Sequence, residues 1–193
     1  MADLAFDEAR HEYRVGGRVV PSVTQILSIL SDFSAVPADA LARAAEFGRH
    51  VHQAVDLYNK STLDEAALDP ALAPYLGDWK QFIHDTDAEV TASEFRAAHE
   101  QLGFAGTLDS VALVRRRCCV IDVKTGQVPR TVGPQLAAYK ALLEASQPMR
   151  VKVHRRLCVQ LTGSGYRMTE CKKPSDWSVF QSCLNIWRFK NAA

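Results

Sequence analysis

Two carboxylates and an ammonium group interrupt apolar, strand-like segments near the middle of the chain. Asp122 and Lys124 lie in the segment CCVIDVKTG, and Asp109 lies in the preceding segment FAGTLDSVALV. A buried strand carries charged side chains only where something compensates them. Mg²⁺ is a suitable compensating group, because it takes one or two carboxylates together with water and phosphate oxygens. The pattern therefore predicts a cation site on a sheet.

The period of a β-strand sets how near these groups lie. Alternate residues share a face, so Asp122 and Lys124 point to the same side, about 6.6 Å apart at ~3.3 Å per residue. If the turn is centred on Arg115 and Arg116, residues pair when their numbers sum to 231, which places Asp109 opposite Asp122. Two ionised carboxylates about 5 Å apart repel by about 3 kcal/mol at an effective dielectric constant near 20. Lys124 would compensate one carboxylate, whereas a divalent cation would compensate both.

A histidine comes from a long predicted helix that runs from Ala38 to about Asn59. His52 lies on the apolar stripe of this helix, one turn after Gly48, whereas His50 lies off the stripe. The alternative for His52 is a histidine hydrogen-bonded against the core. The stripe repeats about every 3.6 residues and consists of Leu41, Ala44, Ala45, Gly48, Val51, Val55 and Tyr58.

Three further candidate residues lie outside these segments. Glu94 belongs to the predicted strand that precedes Asp109. Gln135 and Tyr139 are four residues apart in the predicted helix GPQLAAYKALLEA, and this spacing places them on one helix face. Each has an ordinary alternative, because Glu94 would also suit a solvated strand, and the helix pair would also suit surface packing.

Turn and capping signals predict the elements that must position these side chains. Gly16 and Gly17 predict a tight turn in the hairpin HEYRVGGRVVPSV, and Ser22 with Gln25 predicts a capping box at the start of a short helix. The order of elements predicts an α/β (α+β) fold, in which a mixed central sheet is flanked by helices. The other predicted elements are a helix over 72–84, strands in EVTASEFRAAH, FAGTLDSVALV and CCVIDVKTG, a crossover helix, a hairpin of VKVHRRLCVQL and YRMTE, and a final helix in DWSVFQSCLNIWRFK.

Length and composition predict one globular domain. The chain has 193 residues, of which 47% are hydrophobic and 23% are charged, and domains commonly contain ~100–200 residues. We expect a single domain over 1–193. Its parts would be an N-terminal hairpin and helices over 1–86, the sheet with the candidate site and the crossover helix over 87–146, and a C-terminal hairpin and helix over 147–193.

Charge and hydropathy narrow the class of protein. The net charge of +1 means that any basic surface must be local. No apolar run approaches the ~18 residues of a spanning helix, and the start MADLAFDEARHEY lacks the apolar core of a secretory signal. We therefore expect a cytoplasmic protein without a membrane partner. Cysteines occur at 118, 119, 158, 171 and 183 without CxxC spacing, which is typical of small core residues rather than disulfides or a zinc site.

Taken in order, these segments resemble the PD-(D/E)XK nuclease superfamily, and within it the RecB-like and lambda-exonuclease-like branch. The similarity begins with PSVTQIL and runs from roughly Pro21 to Tyr139. A lone D-x-K carries almost no information, whereas several pieces in the right order and spacing are a specific signal. The pieces are FGRHVH ending at His52, SEF with Glu94, GTLD ending at Asp109, IDVKTG with Asp122 and Lys124, and QLAAY with Gln135 and Tyr139.

The resemblance implies a metal-dependent phosphodiesterase on a restriction-endonuclease-like fold. It implies that Asp109 and Asp122 bind Mg²⁺ or Mn²⁺, with the Val123 carbonyl as a further ligand. His52 and Glu94 would complete the site. A divalent cation there would acidify a water molecule and neutralise charge on the phosphate under attack.

The resemblance also implies roles beyond metal binding. Lys124 would orient or activate the attacking water, and its ammonium would stabilise phosphate charge. Gln135 and Tyr139 would brace the site and touch the DNA strand, and Thr125 would contribute to substrate binding. Several relatives hold an iron–sulfur cluster with four cysteines, the first of which precedes the nuclease core. No cysteine precedes Cys118 here, so we predict no iron–sulfur cluster.

We therefore predict a stand-alone DNA exonuclease of bacterial or phage type, acting on single strands or duplex ends. A role in recombination or repair, a protein partner and a homo-oligomer stay open. One alternative is an endonuclease on the same fold, structure-specific or restriction-like. The other is a catalytically inert nucleic-acid-binding module, in which Asp122 and Lys124 would form a salt bridge on a solvent-exposed strand.

Overall fold

Within the residues that the structure describes, the chain forms two sheets and five α-helices. A computed structural model describes residues 3–32, 36–146 and 151–191. The strands are β1 (Leu4–Asp7), β2 (Glu12–Val15), β3 (Arg18–Val20), β4 (Ala88–His99), β5 (Phe104–Val114), β6 (Arg117–Lys124), β7 (Arg155–Leu161) and β8 (Tyr166–Glu170). The helices are α1 (Val23–Leu27), α2 (Ala38–Asn59), α3 (Ala73–Thr86), α4 (Val132–Ser146) and α5 (Ser175–Asn191).

The large sheet is mixed, with the strand order β4-β5-β6-β7-β8. Strands β4, β5 and β6 pair antiparallel, and β7 pairs antiparallel with β8. Helix α4 crosses over between β6 and β7, which pair in parallel. Helices cover both faces, so the predicted mixed central sheet flanked by helices is confirmed. The candidate residues of β6 therefore lie on the middle strand of the sheet.

The β5–β6 hairpin has the predicted register. Ser110 pairs with Ile121, and Val111 pairs with Val120. The turn residues Arg115 and Arg116 have φ angles of 48° and 63°. Two-residue turns of this kind need positive φ at both positions, which Asn-Gly provides at least cost. The apolar pattern of the strands therefore sets the register here, against the preference of the turn residues.

The N-terminal segment forms a separate three-stranded sheet in the order β1-β2-β3. The predicted β2–β3 hairpin is confirmed, with φ of 55° at Gly16 and 78° at Gly17. The capping box of α1 is confirmed as well, because the Ser22 side chain accepts from the Gln25 amide and the Gln25 side chain accepts from the Ser22 amide. Strand β1 was not predicted, because its four residues give too short an alternation.

Helix α2 has the predicted bounds, but only part of its predicted apolar stripe is buried. Val51 and Val55 are buried, whereas Ala44 and Ala45 are exposed and Leu41 is 36% exposed. The apolar stripe is therefore covered only in the second half of the helix. Periodicity indicates which face of a helix is apolar, but it does not indicate how far the neighbouring elements extend along that face.

Two cores sandwich the large sheet. One lies between the sheet and helices α1, α4 and α5, and includes Val23, Leu136, Phe104 and Phe180. The other lies between the sheet and helices α2 and α3, and includes Val51, Trp79, Phe82 and Ile121. Among the residues that the structure describes, no helix is both long and apolar enough to span a bilayer.

Helix α3 fixes the β7–β8 turn through one carboxylate. The Asp78 side chain accepts hydrogen bonds from the amides of Thr162 and Gly163 at 2.8 Å and from the Gly165 amide at 2.7 Å. Gly163 has a φ of 78°, so the turn needs glycine there. Asp78 is only 6% exposed, and these amide donors replace the water that its charge has lost.

Candidate active site

The end of strand β6 carries a buried ion pair. The Asp122 side chain is 0% exposed, and the Lys124 side chain is 22% exposed. Lys124 Nζ lies 2.9 Å from Asp122 Oδ1 and 2.8 Å from Asp122 Oδ2, and it donates its hydrogen bond to Oδ1. The two side chains share a face, as their spacing predicts. A salt bridge on a solvent-exposed strand is thereby excluded for this pair.

Helix α4 supports the ion pair from above the sheet. Gln135 Nε2 donates to Asp122 Oδ1 at 2.8 Å and to Tyr139 Oη at 3.0 Å. The predicted shared face of Gln135 and Tyr139 is therefore present, and it points at Asp122. Gly106 on β5 lets α4 approach, because a Cβ there would lie 3.3 Å from the Tyr139 ring.

Three ligand-type side chains converge beside this pair. One donor atom each from His52, Glu94 and Asp109 lies within 4.8 Å of the other two. They come from α2, β4 and β5. Asp109 Oδ2 accepts from the Val123 amide at 2.7 Å and lies 3.6 Å from His52 Nδ1. Residues far apart in the sequence thus form one compact group next to the end of β6.

The backbone of β4 is irregular at Glu94. Glu94 has a φ of 48°, and it lies with Asp109 between two regular pairs of β4 and β5, Ser93 with Ser110 and Phe95 with Leu108. A positive φ at a non-glycine residue costs free energy, so it persists within a strand only where neighbouring contacts stabilise that conformation. The end of α2 supplies one tether, because Asn59 Nδ2 lies 3.3 Å from Ser93 Oγ and 3.5 Å from Ser110 Oγ. The irregular step brings the Glu94 carboxylate to the group of ligands.

The raised pKa values of the buried groups indicate a surplus of negative charge at the site. Burial, followed by the nearby Asp109 carboxylate, raises the pKa of Glu94 to about 7, although His52 acts in the opposite direction. Burial also raises the pKa of Asp122 to about 6, although Lys124 opposes it. For Lys124, burial lowers the pKa, but the Asp122 and Asp109 carboxylates more than offset this, and its pKa is raised. Protons or cations are therefore favoured here.

The donor set fits a hard divalent cation. Asp122 Oδ2 is buried and accepts no well-directed hydrogen bond within the part of the chain that the structure describes, although Lys124 Nζ lies 2.8 Å away. A buried carboxylate oxygen that has an ion pair but no well-directed hydrogen bond is incompletely satisfied. Carboxylate oxygens with one imidazole suit Mg²⁺ or Mn²⁺ better than soft metals, which prefer thiolates. His52, Glu94 and Asp109 are the groups that would hold the cation, whereas Asp122 is not part of the group within 4.8 Å and its role as a ligand stays a prediction.

The remaining predicted site residues fall around this group. Val123 contributes its amide to Asp109, and the role of its carbonyl as a ligand stays a prediction. Thr125 lies against α2, since a Cβ at Gly48 would be 3.4 Å from Thr125 Oγ1. His50 is exposed, as its position off the stripe predicts.

The sequence reasoning missed one acidic neighbour, Asp56. Its Oδ2 pairs with Lys60 at 2.8 Å, while its Oδ1 is buried and accepts no hydrogen bond among the described residues. Asp56 also contributes to the raised pKa of Glu94. The signal was its spacing of four residues from His52, which places both on one face of α2.

The fold and this site together define a class of protein. The sequence profile of the PD-(D/E)XK nuclease superfamily matches residues 23–182, and the chain belongs to that superfamily. Two solved structures are similar to it. A crystal structure of SSO0001 is 15% identical, with 89% of this chain and 76% of that chain covered and a TM-score of 0.41. LHK-Exo in complex with dAMP is 13% identical, with 89% and 87% covered and a TM-score of 0.43. No curated protein matches the chain in sequence.

Proposed function

We propose that this chain is a Mg²⁺- or Mn²⁺-dependent DNA exonuclease that hydrolyses phosphodiester bonds from single-stranded or duplex ends. Membership of the superfamily supports nuclease chemistry, and the finer assignment rests on the site. The observation that carries it is the convergence of His52, Glu94 and Asp109 within 4.8 Å. They lie beside the buried Asp122, which is paired with the Lys124 ammonium. An inert module would have no need to keep this costly arrangement complete.

Each side chain of the site has a distinct task in this proposal. A bound divalent cation supplies Lewis acidity toward a phosphate oxygen and lowers the pKa of water. The Lys124 ammonium contacts both oxygens of Asp122, and an N–H bond that points away from Asp122 remains for a phosphate oxygen on which charge develops. Asp122 fixes the direction of that ammonium. Lys124 is therefore proposed as the donor that stabilises the transition state.

Gln135 and Tyr139 are proposed mainly to brace the site. Gln135 donates to Asp122 Oδ1, and Tyr139 Oη accepts the second amide hydrogen of Gln135. Gln135 is 8% exposed and Tyr139 is 4% exposed, so neither offers much surface to a passing strand. Between the two roles expected from the sequence, positioning is the one that the burial supports, rather than stacking on a base.

Dependence on a free end separates this proposal from the endonuclease alternative. Linear single-stranded DNA, linear duplex and covalently closed circles of each would be incubated with Mg²⁺ or Mn²⁺. We expect degradation of linear DNA with little sequence preference, and much slower degradation of the closed circles. A Lys124→Ala variant under the same conditions serves as the control for contaminating nucleases. Equal rates on linear and circular DNA would replace the exonuclease assignment with the endonuclease, and no cleavage of any substrate would favour the inert module.

A further inference from the structure

An exposed arginine follows the ligand group along strand β4. Arg96 is two residues after Glu94, and its Cα partner on β5 is Thr107, two residues before Asp109. At ~3.3 Å per residue, the Cα atoms of Glu94 and Arg96 are at most about 7 Å apart. Arg96 is thus beside the candidate metal ligands, yet it was not among the residues predicted from the sequence.

The guanidinium of Arg96 is held by a ring and has unused hydrogen-bond donors. Its Cζ lies 4.4 Å from the centre of the Phe6 ring. Among the residues that the structure describes, Arg96 forms no ion pair and no side-chain hydrogen bond. A ring restricts a guanidinium to one plane while leaving its five N–H bonds free. This arrangement lowers the entropy that Arg96 loses when it binds an anion.

The small N-terminal sheet holds Phe6 in place. The Phe6 and Tyr13 rings are 4.6 Å apart, and Tyr13 Oη is 2.7 Å from Thr107 Oγ1 on β5. Tyr13 is buried, and burial raises the pKa of its hydroxyl, while Arg96 lowers it and Glu94 raises it. Arg96 and Glu94 therefore act on the same hydroxyl. The β1–β3 sheet, through Phe6 and Tyr13, connects the arginine to the backbone of the site.

We propose that Arg96, positioned by Phe6, binds a backbone phosphate of the nucleic-acid substrate close to the phosphate that is cleaved. This inference rests on the proposed nuclease function. A guanidinium fork matches two phosphate oxygens and is suited to this contact. Along each strand of a duplex the rise is about 3.4 Å per nucleotide, so a step of at most about 7 Å from Glu94 corresponds to at most about two nucleotides. Phe6 on the N-terminal sheet then positions a residue of the substrate site.

The test measures DNA binding without turnover and cleavage separately. Fluorescein-labelled single-stranded and duplex oligonucleotides would be titrated with wild-type protein in Ca²⁺ at several salt concentrations. The variants are Arg96→Met, Arg96→Lys and Phe6→Leu. The matched control is Arg18→Met, which removes one exposed positive charge from β3 of the same small sheet. Steady-state cleavage in Mg²⁺ or Mn²⁺ gives KM and kcat for each protein.

Arg96→Met should weaken DNA binding and raise KM by about 10-fold or more, because a charged hydrogen-bonding group is lost. The value of kcat should change by less than about 3-fold. The slope of log K against log salt should become shallower by about 0.7–0.9, the share of one phosphate contact. Phe6→Leu and Arg96→Lys should fall between wild type and Arg96→Met, and Arg18→Met should match wild type.

Two results would overturn the inference. Wild-type affinity and salt slope in Arg96→Met would show that the arginine only packs on Phe6. Equal losses in Arg96→Met and Arg18→Met would show general electrostatic attraction instead of a defined phosphate site. In both cases the wild-type protein still cleaves DNA, so the proposed function stands. If wild-type protein neither binds nor cleaves DNA, the proposed function itself fails, and the inference about Arg96 fails with it.

Discussion

Replacement of Lys124 by methionine should destabilise the protein in chelator as well as remove activity. Methionine keeps most of the apolar stem but removes the ammonium, so Asp122, which is 0% exposed, loses the positively charged hydrogen-bond donor that Lys124 provides. Removal of one partner from a buried pair costs about 3–5 kcal/mol, because the other charge stays buried. Gln135 still donates to Asp122, and Lys124 is 22% exposed, so the lower end of this range applies.

The expected shift of the melting temperature follows from the chain length. For a domain of this size, the melting temperature shifts by about 2–4 °C for each kcal/mol. A loss of about 3 kcal/mol therefore lowers the melting temperature by roughly 6–12 °C. Urea unfolding in EDTA measures the free energy directly. Ca²⁺ should restore part of the loss, because a cation near Asp122 compensates the same charge. The rate of DNA cleavage should fall by ~10²-fold or more.

An exposed ion pair with the same separation provides the control. Arg43 and Asp39 are 2.8 Å apart, but their side chains are 70% and 68% exposed, so Arg43→Met should cost at most about 1 kcal/mol. The double variant Asp122→Asn/Lys124→Met should be more stable than Lys124→Met alone, since the unpaired charge is gone. A loss below about 1 kcal/mol for Lys124→Met in EDTA would refute the reasoning that Lys124 compensates a buried carboxylate.

Three further predictions concern the cation, the histidines and a turn. Ca²⁺ should raise the melting temperature without supporting cleavage, and a concentration of 100 times Kd should add about 2.7 kcal/mol; full cleavage in excess EDTA would contradict the metal site. His52→Ala should reduce cleavage and Ca²⁺ affinity far more than His50→Ala, and equal effects would mean that His50 also reaches the site. Asp78→Ala should lower the free energy of unfolding by at least about 2 kcal/mol, because the Thr162 amide and its neighbours lose a charged acceptor. Its kcat should stay near wild type, and a large fall in kcat would show that the β7–β8 turn contributes to the site.

The parts of the site that the sequence predicts are those governed by local periods. The strand period places Asp122 and Lys124 on one face, and the helix period places Gln135 and Tyr139 on another. The apolar pattern around Arg115 and Arg116 also determines the register of the hairpin. These patterns act within a few residues, so they can be read before any tertiary contact is known.

The parts that the sequence does not predict depend on contacts between distant segments. Nothing near Glu94 signals that its φ is positive, because that conformation is held by α2 and β5. The contact of Arg96 with Phe6 joins residues 90 positions apart in the numbering, across an unpredicted strand. The extent of burial along α2 cannot be predicted locally either, since Ala44 and Ala45 are exposed although they lie on the same apolar stripe as the buried Val51.

The uncovered first half of α2 divides one continuous helix into two regions of different local stability. Residues 38–46 are mostly exposed on every side, and an isolated helix shorter than about 12 residues is marginal in water. Amides in that region should exchange with solvent quickly, whereas those near the buried Val51 should be protected. Each amide of the helix bonds to the carbonyl four residues earlier, so His52 needs an intact helix only from Gly48 onward. Fraying of the first half therefore leaves the imidazole of His52 in place.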